Sequence, residues 1–492
     1  MPRLIKHFKM SPLTIIGIIA FYFLLLYFIA WTTGQNADNF TFFIGNRKSR
    51  WYLVAFGMIG ASLSGVSFIS VPGWVGSSQF SYMEIVLGYL LGYFVIANVL
   101  MPVYYKMQLT SIYTYLGDRF GDYSYKTGAY FFLLSRTVGA AFRLFLSVSV
   151  LQLVLFNNLH IPFWLTVIII IGFIYLFTYK GGIRTVVWTD TIQTAFMLAS
   201  LISCVIIING KLGLDFTGMV KSIIHSNYSK IFFFSDWNDK RHFLKQFFSG
   251  AFIAIVMTGL DQDMMQKNLS CRNLKEAKKN MYWFSLTLIP VNLLFLILGA
   301  MLYIFSAKAH LTLPAHSDDL FPLIATGNMM PAFFSTIFIL GLISCTYSSS
   351  DSALTALTTS FTIDILKAEK LGEIRLAKTR KMVHPAMAII LLILILIFKV
   401  INNQSVISAV FTAAGYTYGP LLGMYSFGLF TKHKVHDKLV PFVALLSPIL
   451  CVLLSGLSEE ILNGYKFGFE ILMLNGAITF AGLWCIRTKK IY

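Results

Sequence analysis

Residues 339–367 read ILGLISCTYSSSDSALTALTTSFTIDILK. An apolar helix here turns into eleven serines and threonines between Ser344 and Thr362, interrupted by one acid, Asp351, before the stretch leaves at Asp364 and Lys367. The whole chain is 57% hydrophobic and 12% charged, with a mean hydropathy of +0.72, so this stretch sits among membrane spans. In lipid every polar group must find a partner, and a hydroxyl run therefore needs a reason. Cys345, Ser348, Ser349 and Ser352 recur at i, i+3, i+4, i+7 and share one helix face. That face offers oxygens to a small, hard, monovalent cation, whereas zinc or copper would want His and Cys placed together. The competing reading is that the hydroxyls bond back to their own helix or join neighbouring helices.

Apolar runs of about 17 to 25 residues predict an all-α polytopic membrane protein. They give thirteen transmembrane helices, near 12–32, 51–72, 82–105, 127–155, 162–178, 186–208, 246–265, 281–306, 331–362, 383–401, 406–430, 439–455 and 468–486. The first is too long for a signal-peptide core and lacks a cleavage pattern, so it is expected to be retained. With the N-terminus outside, the inner loops hold 25 Lys and Arg and the outer segments fewer than half as many. The formal charge of +18 is then mostly a topology signal, with the C-terminus cytoplasmic and no call on nucleic acid. The five cysteines are scattered and imply neither a disulfide framework nor a metal site. No loop is long enough to fold alone; the largest, 209–245, is expected outside.

Two spans look broken. GMIGASLSGVSFISVPG, residues 57–73, packs four glycines, four serines and Pro72 into the second span, which weakens the helix and frees carbonyls near its middle. Close helix packing would equally use such small residues. In the seventh, Gly259 precedes Asp261, Gln262 and Asp263 at the inner end of an apolar run. Two interrupted spans in corresponding positions of two five-span halves are the pointer to an inverted-repeat transporter. The division expected is an extra span in 1–45, a first repeat in 46–208, the outer loop 209–245, a second repeat in 246–430, and two further spans in 431–492.

These segments together resemble the sodium:solute symporter family. The resemblance rests on GASLSG at 60–65 with PG at 72–73, KGGIRTVVWTDTIQ at 180–193, LDQDMMQKNL at 260–269 and CTYSSSDSALTALTTSFTIDILK at 345–367. It implies the leucine-transporter-like fold and a sodium cage between the second and ninth spans, built from the Gly60, Leu63 and Cys345 carbonyls and the Ser348 and Ser349 hydroxyls. Gly60 and Cys345 stand where many relatives have alanine, a departure that carbonyl ligands should make harmless. Asp190 matches an acid that some members use for a second sodium; a helix-start carboxylate is the plain alternative. Asp351 could be a further sodium ligand or the partner of a buried arginine. The resemblance implies no cofactor other than the coupling ion.

The fourth span carries Arg136 and Arg143, seven residues apart on one face and too deep to snorkel easily. Each needs an anion, either a protein carboxylate such as Asp351 or Asp261, or a carboxylate on a solute. Ser62, Ser64 and Ser67 project from the broken span toward the same place, with Asp261 and Gln262 beside them. Hydroxyls there plus an arginine on the fourth span look like the sialic-acid-transporting branch of the family. The sugar-binding branch has an asparagine and a tyrosine where this chain has Ala254 and Met257. The expectation is sodium-coupled symport of an acidic sugar or other small carboxylate by alternating access, in the plasma membrane. A neutral sugar or amino acid is the alternative solute. An enzyme or respiratory subunit would want paired histidines or a cysteine ladder, and the nine histidines are dispersed. A sensor would want a signalling module beyond the last span, where only six residues follow, while a channel differs from a carrier in its flux ratio.

Overall fold

The computed structural model describes residues 12–33, 39–157, 159–327, 329–401 and 406–488, which are almost wholly helical. A chain this apolar has no water for its amides and must satisfy them within each segment, which helices do. Among the described residues, eight helices are long and apolar enough to cross a membrane, and two bent pairs raise the number to ten. Three shorter apolar helices, Phe163–Leu176, Val406–Thr417 and Ile471–Cys485, fall at the remaining expected positions. The architecture is thus compatible with thirteen spans. A two-residue strand pair, Lys434–Val435 with Arg487–Thr488, and an isolated bridge between Ser49 and Cys271 are its departures from all-α among the described residues.

Both predicted breaks are real. Trp51–Ser62 and Gly65–Ser78 meet at 54°, and Phe243–Gly259 and Gln262–Leu269 at 65°. At the first, Leu63 (ψ 76°) and Ser64 (ψ −178°) leave the helical region. At the second, a π-helical turn over Ile255–Gly259 gives way to an extended Asp261 (ψ 122°). The fifth and sixth expected spans, Phe163–Leu176 and Gly182–Leu212, meet at Gly182, whose φ of 53° and ψ of −146° are non-helical, so the connection expected at 179–185 is a sharp turn at one residue. A Cβ at Gly182 would lie 2.6 Å from Phe42 Cα, so this glycine serves both the backbone angle and the close approach of Asn39–Ile44.

The ninth span is the centre of the molecule. Its window is 72% buried inside the protein, against 17% for the first span and 22% for Asp437–Ile461, which leaves those two at the lipid-facing edge. The third and seventh spans also approach closely: a Cβ at Gly88 would overlap the Phe247 carbonyl and one at Gly250 the Ile85 carbonyl. Without a hydrophobic drive between helices in lipid, such backbone proximity is how spans gain dispersion energy.

Candidate functional site

The break at Leu63–Ser64 lies against the ninth span. The last carbonyls of a helix lack partners within it, which leaves those of Gly60 and Leu63 available at this point. Gly60 N donates to Thr194 Oγ1 at 3.0 Å, and a Cβ on Gly60 would come 3.3 Å from Ser348 Oγ. The hydroxyl run itself is mostly turned inward. Thr346, Ser350, Thr355, Thr358 and Thr359 each donate to the carbonyl four residues back, at 2.6–2.9 Å. Ser349 Oγ donates to Thr346 O at 3.2 Å and Cys345 O at 3.4 Å. Density alone therefore reports helix back-bonding. Ser348 differs, because its hydroxyl donates to Asp190 Oδ1 at 2.7 Å across to the sixth span. A hydroxyl that gives its proton to a carboxylate keeps its lone pairs for a cation.

Asp190 lies mid-helix and fully buried, which removes the helix-start reading. Its Oδ2 is 2.8 Å from Lys267 Nζ and accepts from Ser352 Oγ at 3.4 Å. Asp351 accepts from Ser352 N at 2.6 Å and from Thr189 Oγ1 at 3.5 Å. It forms no ion pair with either arginine among the described residues. The partner of Arg136 is instead Asp263, in a buried ion pair from Arg136 Nη2 to Asp263 Oδ2. Removing either partner of such a pair strands a charge in the interior.

A cavity of about 70 Å³ lies beside the first break. Ser62, Ser64 and Ser67 line it with Arg136 and Arg143, as the sequence suggested, and Ala254 and Met257 form part of its wall. Tyr82, Tyr89, Tyr93, Thr258 and Asn292 add polar tips to an otherwise apolar surface. The half-helix Gly65–Ser78 begins at the cavity, so its N-terminal amides and dipole favour a negative group there. Arg143 has no ion-pair partner among the described residues. Asp261 and Gln262 are corrected: neither lines the cavity. Asp261 caps Gln262–Leu269 through Asp263 N at 3.0 Å and Met264 N at 3.4 Å and accepts from Tyr418 OH at 2.6 Å. Gln262 clasps Thr110 O at 2.8 Å and Ile112 N at 3.0 Å.

A model of the sodium:solute symporter family matches residues 42–437. The chain belongs to that family. Among its relatives, the sodium/sialic acid symporter NanT of Aliivibrio fischeri is 24% identical over 85% of this chain and 83% of its own. The sodium/sialic acid symporter SiaT of Proteus mirabilis is 23% identical over 88% and 87%. A solved substrate-bound outward-open state of a Na⁺-coupled sialic acid symporter shares the fold with a TM-score of 0.80, at 18% identity and 95% and 96% coverage. This symporter is thus a multi-pass sodium-coupled carrier with a leucine-transporter-like fold. Two buried charges beside the site, Asp263 and Lys267, stand in the LDQDMMQKNL stretch, from which the sequence reading assigns neither a role. Their signal was present, since buried charges of opposite sign four residues apart share a helix face and need partners elsewhere.

Proposed function

We propose that this symporter carries a small carboxylate, with an acidic sugar such as sialic acid as the preferred solute, together with sodium. The observation that carries the reading is Arg143: a guanidinium without an ion-pair partner among the described residues, facing a cavity that also holds three serines and a half-helix N-terminus. A planar guanidinium holds a carboxylate by two parallel hydrogen bonds, and the serine hydroxyls add donors. Arg136 contributes less, because Asp263 already holds it. Ala254 and Met257 leave that wall without the side-chain amide and phenol of the sugar-binding branch. The two sialic acid symporters among the relatives support the same solute class.

In this reading the Gly60, Leu63 and Cys345 carbonyls and the Ser348 and Ser349 hydroxyls form the sodium cage. Dipoles there replace the ion's hydration shell, and the ion joins the two elements that must move apart to open the inner side. The basic excess of the inner loops orients the N-terminus outside and the C-terminus in the cytoplasm. The test is uptake of labelled N-acetylneuraminic acid by proteoliposomes, with and without an inward sodium gradient, for wild type and Arg143→Ala. Wild-type uptake should follow the gradient, and Arg143→Ala should abolish it, with sodium-22 binding kept. Uptake of a neutral sugar alone would assign Arg143 to the fold.

A further inference from the structure

A line of buried groups runs from the candidate cage to the solute cavity. Ser348 Oγ donates to Asp190, Asp190 holds Lys267 Nζ at 2.8 Å, Lys267 Nζ lies 3.9 Å from Asp263 Oδ1, and Asp263 is paired with Arg136 in the cavity wall. None of these side chains is more than 4% exposed. Three polar atoms along the line make no hydrogen bond among the described residues: Asp263 Oδ1, Arg136 Nε and Lys267 Nζ, whose 2.8 Å approach to Asp190 is an ion pair without hydrogen-bond alignment. The ammonium of Lys267 therefore stands between an acid it holds and an acid whose facing oxygen is unused. A shift of roughly 1 Å would bring it to hydrogen-bond distance of the second.

We infer that Lys267 is a moving charge that couples solute binding to sodium binding; this rests on the cage and cavity proposed above. With the cavity empty, Arg136 neutralises Asp263 and leaves Lys267 on Asp190. An anionic solute that engages Arg136 draws it from Asp263, and Asp263 then attracts Lys267. Asp190 loses its cation, becomes a stronger acceptor for Ser348, and makes the cage more negative. Sodium binds more tightly. Reciprocity requires the converse, that sodium draws Asp190 and releases Lys267 toward Asp263, which frees Arg136 for the solute.

The inference predicts opposite signs from two neutralisations in one ion pair. Sodium-22 binding to the purified symporter, with no solute present, reads them directly. Arg136→Gln should raise sodium affinity about fivefold or more, because Asp263 is then free to hold Lys267. Asp263→Asn should lower it by a similar factor, because Lys267 then has only Asp190. A merely structural ion pair predicts shifts of the same sign, and that result, or none above twofold, overturns the relay. Lys267→Met removes the moving charge, so affinity should rise and adding Asp263→Asn should change nothing further; a further loss in the double variant also overturns it. Should Arg136→Gln fail to fold, this Lys267 pair decides. Wild type that binds no sodium would sink the cage itself, whereas a wild type that binds it with variants that shift the wrong way would sink the relay alone.

Discussion

Thr194 shows why a glycine at position 60 is not interchangeable with alanine. The proposed cage uses the carbonyl at that position, so the sequence makes an alanine there look harmless. A Cβ would however overlap Thr194 Oγ1, the atom that accepts from Gly60 N. Gly60→Ala should therefore push Thr194 aside and weaken sodium binding several-fold, and adding Thr194→Ala should return part of the loss; a Gly60→Ala single variant with unaltered sodium dependence of uptake would show that the helix simply yields. Ser348→Ala tests the cage from the other helix. It removes the hydroxyl shared with Asp190 at 2.7 Å, and sodium affinity measured by sodium-22 binding should fall about tenfold, or ~1.4 kcal/mol. Of the hydroxyl stretch, the sequence singled out one face, and on it Ser348 and Ser352 turn toward Asp190. Back-bonding to the helix satisfies most of the stretch, and no count of serines can tell a satisfied hydroxyl from an aimed one.

The spans themselves were legible because lipid allows few alternatives: a long apolar run is a helix, and its length is set by the bilayer. The two breaks were legible only as a pair, since small residues in one span also suit close packing, while interruptions at corresponding positions of two halves point to gaps. Which span faces which was not legible. Lys267 and Asp190 are 2.8 Å apart in space across 77 positions of sequence, and no periodicity encodes that pairing. The connection between the fifth and sixth spans was legible, because glycines at 181 and 182 beside Lys180 and Arg184 read as an inner turn. The structure narrows it to one residue, Gly182, whose φ of 53° and neighbour Phe42 both exclude a side chain. Gly182→Ala should cost about 1–3 kcal/mol. In detergent this lowers the unfolding temperature by several degrees, while Gly210→Ala, with nothing within 4 Å of its added Cβ, serves as the neutral comparison.

Across the whole molecule, the balance of charge that moves decides what drives transport. The proposed cage contains carbonyls and hydroxyls and no formal charge of its own, and Asp190, the acid expected to serve a second sodium, carries Lys267 while the cavity is empty. A single sodium moving with a singly charged acid transfers no net charge, so the membrane potential should do no work on the cycle. Two sodium ions per acid would instead transfer one charge, worth about 2.3 kcal/mol per 100 mV, or roughly a fiftyfold change in accumulation. Proteoliposomes loaded with potassium and treated with valinomycin separate the cases. At a fixed sodium gradient, an inside-negative potential of that size should leave accumulation of N-acetylneuraminic acid unchanged within about twofold in the wild type. Lys267→Met empties Asp190 of its tethered cation, and a second sodium taking that place would make uptake respond to the potential. A wild type whose accumulation rises tens of times on adding valinomycin would mean that a second sodium fills the place on Asp190 that Lys267 vacates when solute binds.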